Sequence, residues 1–107
     1  MNQSVKNDLD KIVNEIVALL PGARVFLFGS YATGSPNKDS DLDICIVADA
    51  FEGRRMDMMH TIRGMISGKT HLPLDILLFR SDEFQKNAQL KPTIEYAIAK
   101  EGILLNA

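Results

Sequence analysis

Apolar residues at Val5, Leu9, Ile12, Val13, Ile16, Val17 and Leu20 recur at the spacing of one helical face, which predicts an amphipathic helix over residues 4–20. The Ser4 hydroxyl can cap its start, and Pro21-Gly22 stops it. The pattern then changes. Arg24 leads into the short apolar run Val25-Phe26-Leu27-Phe28, a strand ended by Gly29. Ser30 to Thr33 can open a short helix, and Gly34-Ser35-Pro36-Asn37 is turn chemistry. Leu42 to Val47 reads as a second strand. Arg54 to Ser67 reads as a second long helix, with Met56, Met59, Ile62 and Ile66 on one face. Gly64 weakens that helix, and Gly68 sits where a C-terminal glycine is expected. Leu74 to Phe79 forms a third strand. Ser81, followed by Asp82 and Glu83, starts another helix: the hydroxyl can cap and the acids suit the positive end. After Pro92 a helix restarts over Thr93 to Lys100. Glu101-Gly102 ends it, and Ile103-Leu104-Leu105 reads as a last short strand. The order predicts a small α/β domain spanning residues 1–107, with a mixed sheet of three or four strands and helices on at least one face.

Composition narrows the function classes. A formal net charge of -2 provides no global basic field for nucleic acid, so a polymerase is disfavoured. The single Cys45 excludes an internal disulfide and suits a reducing cytosol, so a cytoplasmic location is expected. There is no apolar run long enough to span a membrane, and Met1-Asn2-Gln3-Ser4 lacks the regions of a signal peptide. One domain of 107 residues has little room for a substrate-binding module, so the substrate is expected to dock from outside.

Against this ordinary background, the acids in the strands stand out. Strand interiors are depleted in Asp, and a buried carboxylate costs several kcal/mol unless it is paired or bound to metal. Asp41 and Asp43 alternate with Leu42 and Ile44, so a strand would point both acids the same way. Asp75 lies inside Leu74-Asp75-Ile76-Leu77-Leu78-Phe79 and can join them if the two strands are neighbours. Like charges so placed repel, and a divalent cation removes the repulsion. Hard oxygen ligands suit Mg²⁺, which keeps waters and substrate phosphates as its other ligands. Three acids can hold two such ions about 3.5–4 Å apart, the arrangement used for in-line displacement at phosphorus. The competing reading, solvated strand ends, suits Asp39 or Asp41 alone better than Asp43 and Asp75 together.

Gly29 permits a tight turn and close backbone approach to a ligand. A helix beginning at Ser30 would offer free N–H groups to an anion, and the Ser30 hydroxyl can donate to a phosphate oxygen. The segment is not a P-loop, because Ser35 and Pro36 stand where Lys and Ser/Thr are required, and it lacks G-x-G-x-x-G. By itself the turn reads as an ordinary connection. It becomes informative only beside Asp41-Leu42-Asp43.

Together, Phe28-Gly29-Ser30, Asp41-Leu42-Asp43-Ile44 and Leu74-Asp75-Ile76 resemble the signature of the nucleotidyltransferase superfamily that includes DNA polymerase β. Gly29 to Gly34, Ser40 to Asp43 and the tail from Ile94 to Leu105 are most similar to the minimal nucleotidyltransferases, small catalytic domains of which some are antitoxins. The resemblance implies the polymerase β-like fold and ATP as donor. It makes Asp41 and Asp43 Mg²⁺ ligands, Asp75 a third ligand or general base, and Gly29, Ser30 and Ser40 nucleotide-holding residues. Two Mg²⁺ ions are expected. Many members have Arg where this chain has Tyr31 or Thr33. The resemblance further implies a helical partner of the HEPN class, a toxin inactivated by transfer of AMP to a tyrosine hydroxyl. Two alternatives stand beside this one. One is an antitoxin that only occludes its partner; the other is a small-molecule transferase such as an antibiotic-adenylating enzyme.

The remaining candidates carry less. His60 and His71 have no partner spacing for metal. Cys45 reads as a small buried apolar residue. Met56, Met58, Met59 and Met65 give a soft helix surface, first for core packing and second for a partner. Arg54-Arg55 suits a solvated helix start, and Arg80 is a possible cation near the active face.

Overall fold

The computed structural model describes residues 1–106. The chain runs α1 (Gln3–Leu19), β1 (Arg24–Phe28), α2 (Ser30–Thr33), β2 (Leu42–Ala48), α3 (Arg55–Ile66) with a 3₁₀ turn over Ser67–Lys69, β3 (Leu74–Arg80), α4 (Ser81–Asn87), α5 (Ile94–Glu101) and β4 (Ile103–Leu104). The four strands form one sheet in the order β3-β2-β1-β4. β1 pairs antiparallel with β2 and with β4, while β2 and β3 run parallel. Parallel neighbours need a crossover, and α3 supplies it. The predicted mixed α/β sheet is therefore present, with four strands.

Side-chain alternation along the strands divides the interior in two. Val25 and Leu27, Leu42, Ile44 and Ile46, and Ile76 and Leu78 face one way and pack with Leu9, Ile12 and Ile16 of α1 and Ile62 and Ile66 of α3. Cys45 and Val47, with Phe26, Phe28, Leu77 and Phe79, face the other way against Phe84 of α4 and Ile98 of α5. Burial on both faces explains why the central strand β2 is almost uniformly apolar. Phe84 stacks on Phe26 at 5.8 Å and tilts against Phe79 at 6.0 Å between ring centroids.

Several local expectations change. α1 starts one residue earlier than the pattern predicts, because the Asn2 carboxamide, not the Ser4 hydroxyl, accepts the Val5 N–H at 2.9 Å. Met56 is 60 % exposed, so the inward stripe of α3 is Met59, Ile62 and Ile66 without it. Gly68 does not terminate α3; Ser67 is the C-cap, and Gly68 lies in the 3₁₀ turn that follows. Ser81 is the first residue of α4 and makes no cap; its hydroxyl donates to Asp49 Oδ1 at 2.7 Å. Thr93 stands outside α5 as its N-cap and accepts the Tyr96 N–H at 3.1 Å.

Candidate active site

The parallel register of β2 and β3 sets Asp43 directly beside Asp75. The two residues are separated by one inter-strand spacing, about 4.8 Å at the backbone. On the other flank of Asp43 lies Phe28, its antiparallel partner on β1. Both acids project from the sheet face that carries Cys45 and Leu77, at the end where β1 finishes and β2 and β3 begin. The apolar core on that face gives way to carboxylates at this edge. Asp43 is half-buried, and Asp75 and Asp41 are exposed.

Asp41 differs from the sequence expectation in one respect. β2 begins at Leu42, so Asp41 lies just ahead of the strand and the alternation rule does not govern it. It is nonetheless close enough to act on Asp43. The Asp43 pKa is raised above the ordinary carboxylate value, first by burial and then by the charges of Asp75 and Asp41. Among the described residues, no ion pair reaches any of the three carboxylates. Their repulsion is left uncompensated by the protein.

Gly29 closes the site from the end of β1. Its backbone holds φ +73° and ψ −156°, a region essentially reserved for glycine. A Cβ there would collide with the Asp43 carboxylate, whose Cγ lies 2.9 Å from that position. The turn and the central acid are thus fitted to one another. α2 is a single four-residue turn; the Ala32 and Thr33 N–H groups already bond to Gly29 O at 3.1 and 3.2 Å. Ser30 is half-buried, and among the described residues its hydroxyl makes no hydrogen bond, which leaves it free to donate outward. The Ser40 hydroxyl accepts the Asn37 N–H at 2.9 Å, so it helps close the turn that delivers Asp41.

The carboxylate set fits a divalent cation of the Mg²⁺ type: hard oxygen donors, clustered, without an internal counter-charge. Among the described residues, no group of three or more His, Cys, Asp or Glu side chains is placed to hold a metal ion, so the register pair Asp43–Asp75 forms the nucleus of the site and Asp41 lies outside it. An open half-site of this kind suits an ion that takes its remaining ligands from water and phosphate.

Other sequence candidates lie elsewhere. Arg80 sits at the opposite end of β3 from Asp75, with its guanidinium 3.9 Å from the Phe51 ring centroid, so it is no cation of the active face. Arg55 pairs with Glu83 at 2.7 Å, and Arg54 with Asp57 at 3.5 Å. His60 and His71 are exposed. Cys45 is fully buried, and burial, together with nearby Glu95, pushes its thiol pKa up to about 12.

Sequence reasoning missed the slot beside the turn. A cavity of about 280 Å³ opens between Phe28-Gly29 and Thr33 on one side and Ile94, Ala97, Ile98, Glu101 and Gly102 on the other. The helical spacing 94, 97, 98, 101 was readable, but such a stripe ordinarily marks a core face.

These features can be set beside known proteins. The chain is similar to a solved structure from Sulfolobus solfataricus assigned as a nucleotidyltransferase, with 21% identity over 97% of this chain and 86% of that one and a TM-score of 0.56. It is also similar to a chain in a crystal structure of a toxin–antitoxin with AMP-PNP, at 18% identity over 94% of this chain and 71% of that one, with a TM-score of 0.54. At these identities the likeness concerns the fold. No curated protein matches. The family model for the nucleotidyltransferase domain matches residues 9–105, a span that includes the Gly29-Ser30 turn and all three aspartates, and the chain belongs to that family.

Proposed function

We propose that the protein transfers AMP from ATP to a hydroxyl group of a partner protein, a tyrosine of a HEPN-class toxin, and so acts as its antitoxin. The observation that carries this reading is the Asp43–Asp75 register pair with Gly29 pressed against Asp43. It supplies clustered, uncompensated carboxylates at a glycine turn with a free hydroxyl beside it. The partner reading draws support from the toxin–antitoxin neighbour of similar fold, which contains a nucleotide analogue.

Asp43 and Asp75, with Asp41 beside them, would hold the divalent cation, which when bound supplies charge neutralisation and orientation of the triphosphate. The Ser30 hydroxyl donates to a phosphate oxygen, and Gly29 lets the backbone come close to it. Asp75 is exposed and so can meet an incoming acceptor. It accepts the proton of the attacking hydroxyl. The acceptor oxygen then bonds to the α-phosphorus, the bond from that phosphorus to the bridging oxygen breaks, and pyrophosphate leaves.

The test is incubation of the protein with Mg²⁺, α-labelled ATP and lysate of its native cell. A labelled acceptor band is expected with the wild type. With Asp43→Asn, transfer falls on the order of 10²-fold or more, because a carboxylate facing the reacting phosphate is lost. Equal labelling by wild type and Asp43→Asn would refute the assignment. Neutralisation of a toxin that survives Asp41→Asn with Asp43→Asn would instead establish an occluding antitoxin.

A further inference from the structure

The slot beside Gly29 is not part of the carboxylate site, yet shares a wall with it. Phe28 and Gly29 line the slot, and these same residues flank Asp43 by pairing and by contact. A group seated in the slot is therefore a neighbour of anything held at the acids. The opposite wall is one stripe of α5: Ile94, Ala97, Ile98 and Glu101. Ala97, Gly29 and Gly102 leave it without bulk, while Phe28, Ile98 and the 47 %-exposed Ile94 give it flat apolar sides. At about 280 Å³ it lies at the lower bound of small-molecule sites, too small for a whole nucleotide with its triphosphate.

The polar chemistry of the slot is one-sided. The Thr33 hydroxyl is engaged with Gly29 O, Ser30 O and Ser35 Oγ at 3.1–3.4 Å. Glu101 is the one charged side chain of the lining, and among the described residues its carboxylate has no hydrogen-bond or ion-pair partner. A carboxylate repels phosphate and accepts hydrogen bonds from hydroxyl groups. Resting on the nucleotidyl-transfer reading above, we propose that this slot receives the nucleoside of the triphosphate, its base between apolar walls and its sugar hydroxyls toward Glu101. Apart from Glu101, which is assigned to the sugar, the lining carries no free side-chain hydrogen-bonding group to read the edge of a base. The site therefore selects at the sugar and discriminates poorly among bases.

Calorimetric titration in Mg²⁺ tests this, with ATP, GTP, CTP, UTP, 2′,3′-dideoxy-ATP and inorganic tripolyphosphate as probes. The four ribonucleotides are expected to bind within about tenfold of one another, since an apolar slot discriminates weakly. Ala97→Trp fills the slot, and it should weaken all four by about tenfold or more while tripolyphosphate binding is unchanged. Glu101→Gln should narrow the preference for ATP over its dideoxy analogue. Ala97 and Ile94 are exposed and outside the buried core, and Ile94→Glu at the rim provides a second obstruction with the same expected loss. Wild-type affinity for ATP in both Ala97→Trp and Ile94→Glu would overturn the slot assignment and leave nucleotidyl transfer standing. A preference for one base of about 100-fold or more would overturn the sugar-selection rule. Failure of the wild type to bind any nucleotide would bring down both readings.

Discussion

At Gly29, two requirements meet in one residue: a backbone conformation closed to other residue types and a surface against which the Asp43 carboxylate rests. Gly29→Ala meets both penalties. We expect a destabilisation of about 1–3 kcal/mol from the backbone, measured by urea unfolding. The methyl group must also push Asp43 aside, so activity should fall further than stability does. Asp43 yields a separate prediction. Its pKa is raised in the folded protein, so the folded state binds the proton more tightly than the unfolded chain does. Stability is then greatest below the ordinary carboxylate pKa and declines as pH rises through the folded value. At neutral pH without metal, Asp43→Asn should raise Tm by a few degrees, under about 1 kcal/mol for a partly exposed group. Added Mg²⁺ should raise the Tm of the wild type more than that of the variant. A lower Tm for metal-free Asp43→Asn would contradict the repulsion inferred at the site. Cys45, its thiol pKa pushed up to about 12, should resist iodoacetamide at pH 8 until the protein unfolds. Gly29, Asp43 and Asp75 were legible in the sequence because each is locally out of place: glycine ending a strand, acid within one. Glu95 was not. It is buried and accepts a hydrogen bond from Asn87 at 2.8 Å, a partnership that a solvated-looking helix start does not advertise.

Among the elements, the strands and long helices matched their sequence patterns to within a residue or two, while their caps did not. Side-chain capping depends on one hydroxyl or amide competing with its neighbours, and Asn2 wins over Ser4 by position. Met56 fits a helical stripe by spacing, yet the stripe of α3 turns it to solvent; periodicity places a face but not its edge. α5 is the element on which the nucleoside slot depends, and Thr93 anchors it at the start. Its hydroxyl accepts the Tyr96 N–H and lies 2.7 and 2.8 Å from the carbonyls of Asn87 and Leu90. Thr93→Ala should cost about 1–2 kcal/mol in chemical denaturation. Nucleotide affinity should fall with it, since a frayed first turn displaces Ile94. Unchanged stability would mean that α5 is fixed by packing alone.

For the whole molecule, the sheet matters as a partition between two cores. The α4–α5 side is the smaller, and Phe84 joins it to Phe26 and Phe79. Phe84→Ala should cost about 3 kcal/mol or more, read as a shift in the denaturation midpoint with unchanged slope. The Asp43–Asp75 pairing depends on the parallel alignment of β2 with β3, and no local pattern dictates it; the sequence left open whether those strands are neighbours. The tail shows the same limit. Asn106 accepts the Val25 N–H at 2.9 Å and donates to Ala23 O at 2.7 Å, extending the β4 pairing along β1 by side-chain mimicry. Its partners lie 81 and 83 residues earlier in the chain. During synthesis, β1 emerges long before the segment that covers its open edge. The nascent chain can assemble β1, β2 and β3, but β1 stays an open edge strand until residues 103–106 are available to cover it. In this small fold, the window for wrong pairing is set by the ribosome rather than by the sheet.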